Sequence, residues 1–365
     1  MSDMSRATPH ATPVVAAPHA HAGNSISRTM GLVILALLPA TALGLGQFGW
    51  PAILLFALTI GATLATEAMC LRIAGKPLTV NLLDGSALVT GWLLAMSLPP
   101  AAPWWIGVLG AVIAIVLGKQ VFGGTGQNLF NPAMVARVAL LIAFPLEMTT
   151  WVTPEPLWSA GARDLQQGLA VTFAGQIPDG MTGATALGQV RTEVGRGVGL
   201  DEALAGYSPA SGAMGTISGS LGEPSALLLL AGGLMLIWLR VITWHIPAAM
   251  LATLALLATV MHWVDPGRYP DAVFHLVSGA TLLGAFFIAT DLVTSPVSKA
   301  GQLIFGAGCG LLVFAIRTWA GYPEGVAFAV LLMNACTPVI DHYVRPRVFG
   351  RTRRGDPLEY PEAKP

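Results

Sequence analysis

Apolar runs long enough to cross a bilayer are the strongest constraint on this chain. They cover 29–47, 50–71, 83–98, 104–121, 132–149, 224–243, 246–264, 272–290, 300–318 and 323–341. A helix needs roughly 20 apolar residues to traverse a ~30 Å hydrocarbon layer. Backbone groups in lipid find no water, so each run must satisfy its own hydrogen bonds as a helix. The alternating pattern of a membrane barrel is missing. The third run is short and stops at Pro99-Pro100. The expected fold is an all-α integral membrane protein of ten transmembrane helices. Composition agrees: 54% of the residues are hydrophobic and only 10% charged, against about 25% charged in a soluble domain. An ordinary soluble enzyme and a disordered, charge-rich chain are both excluded. Basic and acidic residues number 19 each, so no net charge favours nucleic acid.

Lys and Arg set the orientation. With the N-terminus cytoplasmic, 13 of them fall inside and five outside (Arg163, Arg191, Arg196, Arg268 and Arg317), while Arg137 sits within a run. Both termini are therefore expected inside, with the basic cluster Arg345–Arg354 as an anchor that touches anionic lipid. Residues 1–28 read as a disordered cytoplasmic tail and 342–365 as a basic one. His10, His19 and His21 are scattered in the first tail, and no metal site is expected. The first apolar run starts late and is long enough to stay, so a cleavable signal peptide is not expected. Cys70, Cys309 and Cys336 have no CxxC partner and read as small buried hydrophobes.

Five runs (29–149) precede a long polar segment, 150–222, and five (223–341) follow it. An odd number per half makes the halves opposite in topology. The run after Asp84-Gly85-Ser86 can be laid over the run after Ser278-Gly279-Ala280, with Gly85/Gly279, Leu88/Leu282, Ala95/Ala289 and Leu98/Leu292 coinciding. Two inverted five-helix halves would put a functional site near the midplane between them. The segment 150–222 is expected outside, as a large periplasmic loop of turns and short elements with few buried anchors. A loop this long is usually functional.

Three groups of residues carry possible chemistry. The inner stretch from Gly118 to Met134 includes Phe122-Gly123-Gly124-Thr125-Gly126-Gln127-Asn128-Leu129-Phe130-Asn131-Pro132-Ala133. It is not a phosphate-binding P-loop, because no Gly-Lys-Ser/Thr closes it. Its glycines permit backbone conformations closed to other residues, and Asn128 and Asn131 supply amides. Such a loop can present N–H groups to a flavin or quinone carbonyl, or it can be a tight turn capped by Asn131 ahead of Pro132. In the outer segment, Asp179-Gly180-Met181-Thr182-Gly183-Ala184-Thr185 is by composition only a polar turn. Glu67, Asp84, Arg137 and Asp291 lie in or at the ends of apolar runs, where charge is costly and often functional. Glu67, Asp84 and Asp291 are candidates for an ion path, with structural pairing as the alternative.

Taken together, these motifs resemble the RnfD/NqrB family, membrane subunits of ion-pumping redox complexes. Asp179 to Thr185 looks like that family's flavinylation signal, and the loop ending in Phe130-Asn131-Pro132-Ala133 looks like its glycine-rich stretch. The chain is short for NqrB and so nearer the RnfD side. The resemblance implies FMN joined through its phosphate to Thr185, attached by a flavin transferase on the outer side of a bacterial inner membrane. Asp179, Gly180, Thr182, Gly183 and Ala184 would serve recognition by that transferase. A second, non-covalent flavin near Gly123, Gly124, Thr125, Gly126, Asn128 and Asn131 is a further implication. The protein would act only with the other membrane and peripheral subunits of an Rnf-type complex. That complex would pass electrons between NADH and ferredoxin or flavodoxin while moving Na⁺ or H⁺.

Ser278-Gly279-Ala280-Thr281 also reads Ser-Gly-Ala-Thr. It lacks the acidic residue and lies within the eighth run, so Thr185 rather than Thr281 is the expected acceptor. The reading from a different class is a small-solute channel or transporter with inverted repeats and no redox role. A second alternative is a structural scaffold for partner subunits.

Overall fold

The computed structural model describes residues 25–159, 161–176, 181–215, 217–223, 225–322, 324–346 and 350. Among them there is no strand, only an isolated antiparallel bridge between Val152 and Thr182. The helices of the first half are α1 (Ile26–Ile73), α2 (Leu78–Leu82), α3 (Ser86–Ser97), α4 (Trp104–Val112), α5 (Pro132–Ala143) and α6 (Pro145–Thr149). The middle segment holds α7 (Leu165–Ala174), α8 (Ala186–Gly195), α9 (Leu200–Ala203) and α10 (Pro209–Met214). The second half holds α11 (Ala226–Trp238), α12 (His245–Val264), α13 (Ala272–Val277), α14 (Thr281–Leu283), α15 (Lys299–Trp319) and α16 (Val326–Tyr343).

Among the described residues, six helical stretches are long and apolar enough to cross a membrane: 26–73, 78–97, 104–122, 245–264, 299–319 and 326–343. The first, 48 residues long, departs from helical geometry at Gly49 (φ 71°), two residues before Pro51. The break falls between the first two predicted runs. α5 and α11, with 12 and 13 residues, are shorter than the runs that announced them. α5 stops because Phe144 precedes Pro145, and the residue before proline is pushed out of the α region. Phe144 duly sits at φ −133°, ψ 62°.

Two runs are interrupted. The chain leaves the helix at 83–85 between α2 and α3, and again at 278–280 between α13 and α14. Gly85 (φ 81°) and Gly279 (φ 67°) each occupy the left-handed region at these breaks, where a side chain would be strained. They are the pair matched in the sequence comparison of the halves. A short π-helix follows α4 (Ile113–Leu117) and another follows α14 (Gly284–Ile288).

One apolar core joins both halves, with Leu94, Met96, Ile106, Leu140, Leu283, Phe305 and Phe314 enclosed. α12 and α15 approach closely at glycines: a Cβ at Gly306 would lie 2.5 Å from the Ile246 carbonyl oxygen. Small residues that let backbones meet are the usual device of membrane helix packing. The outward surface keeps Leu35, Leu38, Leu256, Leu311 and Leu332 exposed, as a lipid-facing surface would. Cys309 is buried, as expected, whereas Cys70 is only half-buried and Cys336 is exposed on this apolar exterior.

The segment 150–222 is better anchored than its composition suggested. Val152, Val171, Met181 and Leu221 pack with Phe48, Ala52 and Ala101. Leu187, Val190 and Leu200 pack with Phe274. Val171, Leu187, Val190 and Leu200 come from short helices and Val152, Met181 and Leu221 from the connections between them, so the sequence shows them only as scattered apolar residues.

Candidate functional site

Thr185 is the N-cap of α8. Its backbone is extended (φ −70°, ψ 153°), and its hydroxyl accepts a hydrogen bond from Gly188 N at 3.0 Å. This is the ordinary role of a threonine that satisfies one free N–H of a helix start. Only 7% of Thr185 is exposed, whereas Thr182 and Ala184 stand on the surface. The preceding residues are held as a short extended pair: Gly183 N donates to Trp151 O (3.0 Å), and Thr153 N donates to Met181 O (2.9 Å). Gly183 is also sterically required, since a Cβ there would lie 2.6 Å from Ser218 Oγ and 2.8 Å from Thr153 Cγ2. Asp179 and Gly180 lie outside the described residues.

α8 rests on the second interrupted helix. A Cβ at Gly279 would lie 2.8 Å from Leu187 Cδ1, 2.7 Å from Arg317 Nη2 and 3.0 Å from Glu324 Oε1. Arg317 grips the break: its guanidinium donates to His275 O (2.8 Å), Ser278 O (3.1 Å) and the Thr281 hydroxyl (2.9 Å). Glu324 balances it at 3.4 Å, accepts from Ala280 N at 3.1 Å, and faces Arg137 of α5 at 3.8 Å. One carboxylate thus ties α5, α15 and the break together. Thr281 is fully buried in this network, with its hydroxyl also donating to His275 O. Glu223 joins the cluster ahead of α11, accepting from Ser220 N at 3.0 Å. Burial, and then Glu324 nearby, push its carboxyl up to about 7, against the opposing pull of the Ser220 hydrogen bonds and Arg137.

At the first interrupted helix a buried cation also has a carboxylate partner, but it binds side chains rather than backbone carbonyls. Lys119 donates to Glu67 Oε1 (2.9 Å) and to Ser86 Oγ (2.8 Å), with Lys119 2% and Glu67 1% exposed. Gln120 adds a bond to Glu67 at 2.8 Å. Asp84 accepts from Ser86 N (2.7 Å), the Ser86 hydroxyl (2.6 Å) and Thr125 Oγ1 (3.1 Å). Of the three ion-path candidates, Glu67 and Asp84 are thereby brought into one network. Asp291 lies apart, accepting from Val293 N and the Thr294 hydroxyl, and burial pushes its carboxyl above the ordinary range.

The glycine-rich loop closes over this network. Gly123, Gly124 and Gly126 all have positive φ (118°, 104° and 86°), and Lys76 Nζ donates to Gly123 O at 2.7 Å. Asn131 caps α5, accepting from Ala133 N and Met134 N at 3.1 and 3.3 Å. The capping alternative for Asn131 is therefore realised, and it is compatible with the other. A cleft of about 790 Å³ of empty space, open mouth included, lies between the halves here. Its polar lining includes Lys119, Thr125, Asn128, Asn131 and Asp291, and its apolar wall includes Phe286 and Phe287. Sequence reasoning missed Lys119, Arg317, Glu223 and Glu324. Lys119 and Arg317 read there as orientation charges, and the two glutamates stand at the margins of apolar runs.

Residues 13–350 match the NQR2, RnfD, RnfE family. A curated relative from Halorhodospira halophila, named as a subunit of an ion-translocating oxidoreductase complex, is 58% identical over 347 residues, 94% of this chain and 97% of that protein. The protein of the same name from Stutzerimonas stutzeri is 56% identical, covering 92% and 95% of the two chains. The one from Rhodobacter capsulatus is 48% identical, covering 83% and 84%.

Two outcomes follow from the buried charges. Lys119→Met leaves Glu67 enclosed without its cation and should cost about 3–5 kcal/mol. Adding Glu67→Leu should recover most of that, read as thermal unfolding of the detergent-solubilised protein. Glu223 binds its proton more tightly folded than unfolded, so its contribution to stability falls as pH rises from the ordinary carboxylate range through about 7. Melting temperatures of Glu223→Gln should therefore decline less than those of the wild type between about pH 5 and pH 8.

Proposed function

This chain belongs to the NQR2, RnfD, RnfE family, and we propose that it is the flavin-carrying membrane subunit of an ion-translocating oxidoreductase complex. Its relatives are named as subunits of such a complex. The complex would be of the Rnf type, with electrons passing between NADH and ferredoxin or flavodoxin and Na⁺ or H⁺ moving across a bacterial inner membrane. The chain would span that membrane ten times, in two inverted halves with both termini cytoplasmic and segment 150–222 periplasmic. The matching breaks at Gly85 and Gly279, each gripped by a buried cation with a carboxylate partner, support two related halves.

The observation that carries the flavin reading is Thr185 at the head of α8, at the end of the Met181–Thr185 signal. FMN would be esterified there through its phosphate by a flavin transferase, and would supply reversible electron transfer when bound. The residues fit a phosphodiester: a helix start offers free N–H groups and the positive end of the helix dipole. Ala186, Leu187 and Gly188 occupy the first turn of α8. Thr185 would hold the phosphate, and the enclosed backbone around Gly183 would fix the tether. Thr185 is buried in the folded chain, so attachment would require the first turn of α8 to loosen or to form afterwards.

The inner cleft is suited to a second, non-covalent flavin. It has aromatic walls and a few polar groups, the usual character of a cofactor pocket. Asp291 beside it, together with the Glu67–Lys119–Ser86–Asp84 network, would form the polar part of an ion path. A transporter without redox chemistry would use interrupted helices and a cleft in the same way, and bound flavin separates the two readings.

Co-expressed with a flavin transferase, the wild-type protein should fluoresce as a flavoprotein after denaturing electrophoresis. Thr185→Val should abolish the band and Thr281→Val should keep it. A dark wild-type band, with the transferase active on another substrate, would favour the transporter.

A further inference from the structure

The middle-segment helix α7 (Leu165–Ala174) holds no charged residue along its ten positions. Its side chains divide into three faces. Gly168, Val171 and Thr172 are buried. The fit there is close, since a Cβ at Gly168 would lie 2.6 Å from Trp50 Cβ, beside the break in α1. Gln166 and Gln167 are polar and exposed. Leu165, Leu169 and Phe173 follow one another at four-residue spacing, which stacks them into one stripe on the helix surface. They remain 46%, 40% and 49% exposed. A helix between a protein core and water needs only one apolar face. α7 has a second, which the described residues leave half open.

We propose that α7 lies in the plane of the membrane surface, with the Leu165–Leu169–Phe173 stripe seated among lipid acyl chains and its glutamines toward water. The position of the stripe selects lipid as its partner. The Phe173 ring stacks against Trp104 with centroids 6.3 Å apart, and Trp104 begins the apolar span 104–122. The stripe therefore continues the exterior of a membrane helix at its end. Trp158 stands beside the same break in α1, against Gly46, and is exposed. Tryptophans at span ends mark the level of the membrane–water interface. Helices that lie in this plane bury their apolar face at the boundary of headgroups and acyl chains. With no Lys or Arg of its own, α7 is held by apolar burial and by its packing on α1 rather than by attraction to anionic lipid. The seat has a consequence for the 179–185 motif. Val171, on the buried face of α7, packs in one cluster with Met181, so a membrane-seated α7 holds that motif at a fixed height over the bilayer.

The test places spin labels on the full chain in vesicles of phosphatidylethanolamine and phosphatidylglycerol. In a background of Cys70→Ser, Cys309→Ala and Cys336→Ala, the exposed positions Leu165→Cys, Leu169→Cys, Phe173→Cys and Gln166→Cys are labelled one at a time. Molecular oxygen concentrates among acyl chains and a nickel chelate stays in water, so collision with each reports the label's surroundings. The ratio of oxygen to chelate accessibility should be severalfold higher at 165, 169 and 173 than at 166. A low ratio at all four positions would place α7 in water and overturn the proposal. A second measurement needs no substitution. In the complete complex, a diazirine carried on a phospholipid acyl chain should insert on irradiation into the α7 peptide, as into the exposed face of α12. Labelled α12 beside unlabelled α7 would mean that another subunit covers the stripe, and would overturn the proposal as well.

Discussion

Backbone that leaves a helix inside a bilayer must be satisfied by the protein itself, and this requirement organises the molecule. Two of its apolar runs leave the helix, at 83–85 and 278–280. At the second break Arg317 donates to the His275 and Ser278 carbonyls. At the first, Asp84 accepts from Ser86 N, Ser27 donates to the Leu83 carbonyl, and Lys119 holds the Ser86 hydroxyl. Lys119 and Arg317 can be buried only because Glu67 and Glu324 balance them. Removing either carboxylate would leave a charge enclosed without compensation, a far larger penalty than losing a surface ion pair. The breaks and their cations are therefore single units, and the inner cleft is built against the first of them.

The two units differ in what they present. At the first, the carboxylates of Glu67 and Asp84 converge on Lys119 and Ser86, and the glycine-rich loop lies above them. At the second, Glu324 is turned toward Arg137 in the other half. Glu324 thus joins the halves at the second unit, while Asn131 joins them at the first through its Nδ2–H bond to Ile288 O at 3.5 Å. A change of charge at either unit would act on a contact between halves, which is the physical basis for coupling electron transfer to ion movement in the proposed function.

Much of this was legible in the sequence, for reasons that can be named. Continuous apolar runs announce helices in lipid because no other structure satisfies their backbone there. The Asn131-Pro132 pair announces a helix start, and the positive-φ glycines Gly85 and Gly279 could be matched by alignment alone. The ion pairs could not be read. Lys119 and Glu67 are 52 positions apart, and Arg317 is indistinguishable in sequence from a topology charge. The short helices α7 to α10 were hidden because each buries only a few apolar residues, too few to set a period. The burial of Thr185 was unexpected as well: a motif read as a substrate for another enzyme also caps a helix, and the two roles use the same hydroxyl.

The proposed redox role rests above all on the proposal that Thr185 carries a phosphate-linked flavin. The most direct measurement is tandem mass spectrometry of the peptide spanning residues 181–196, from protein purified out of membranes that contain an active flavin transferase. The predicted result is one FMN on this peptide as a phosphoester, with the fragment series placing it on Thr185. An unmodified peptide from protein of full yield, or an adduct placed on Thr182, would contradict it.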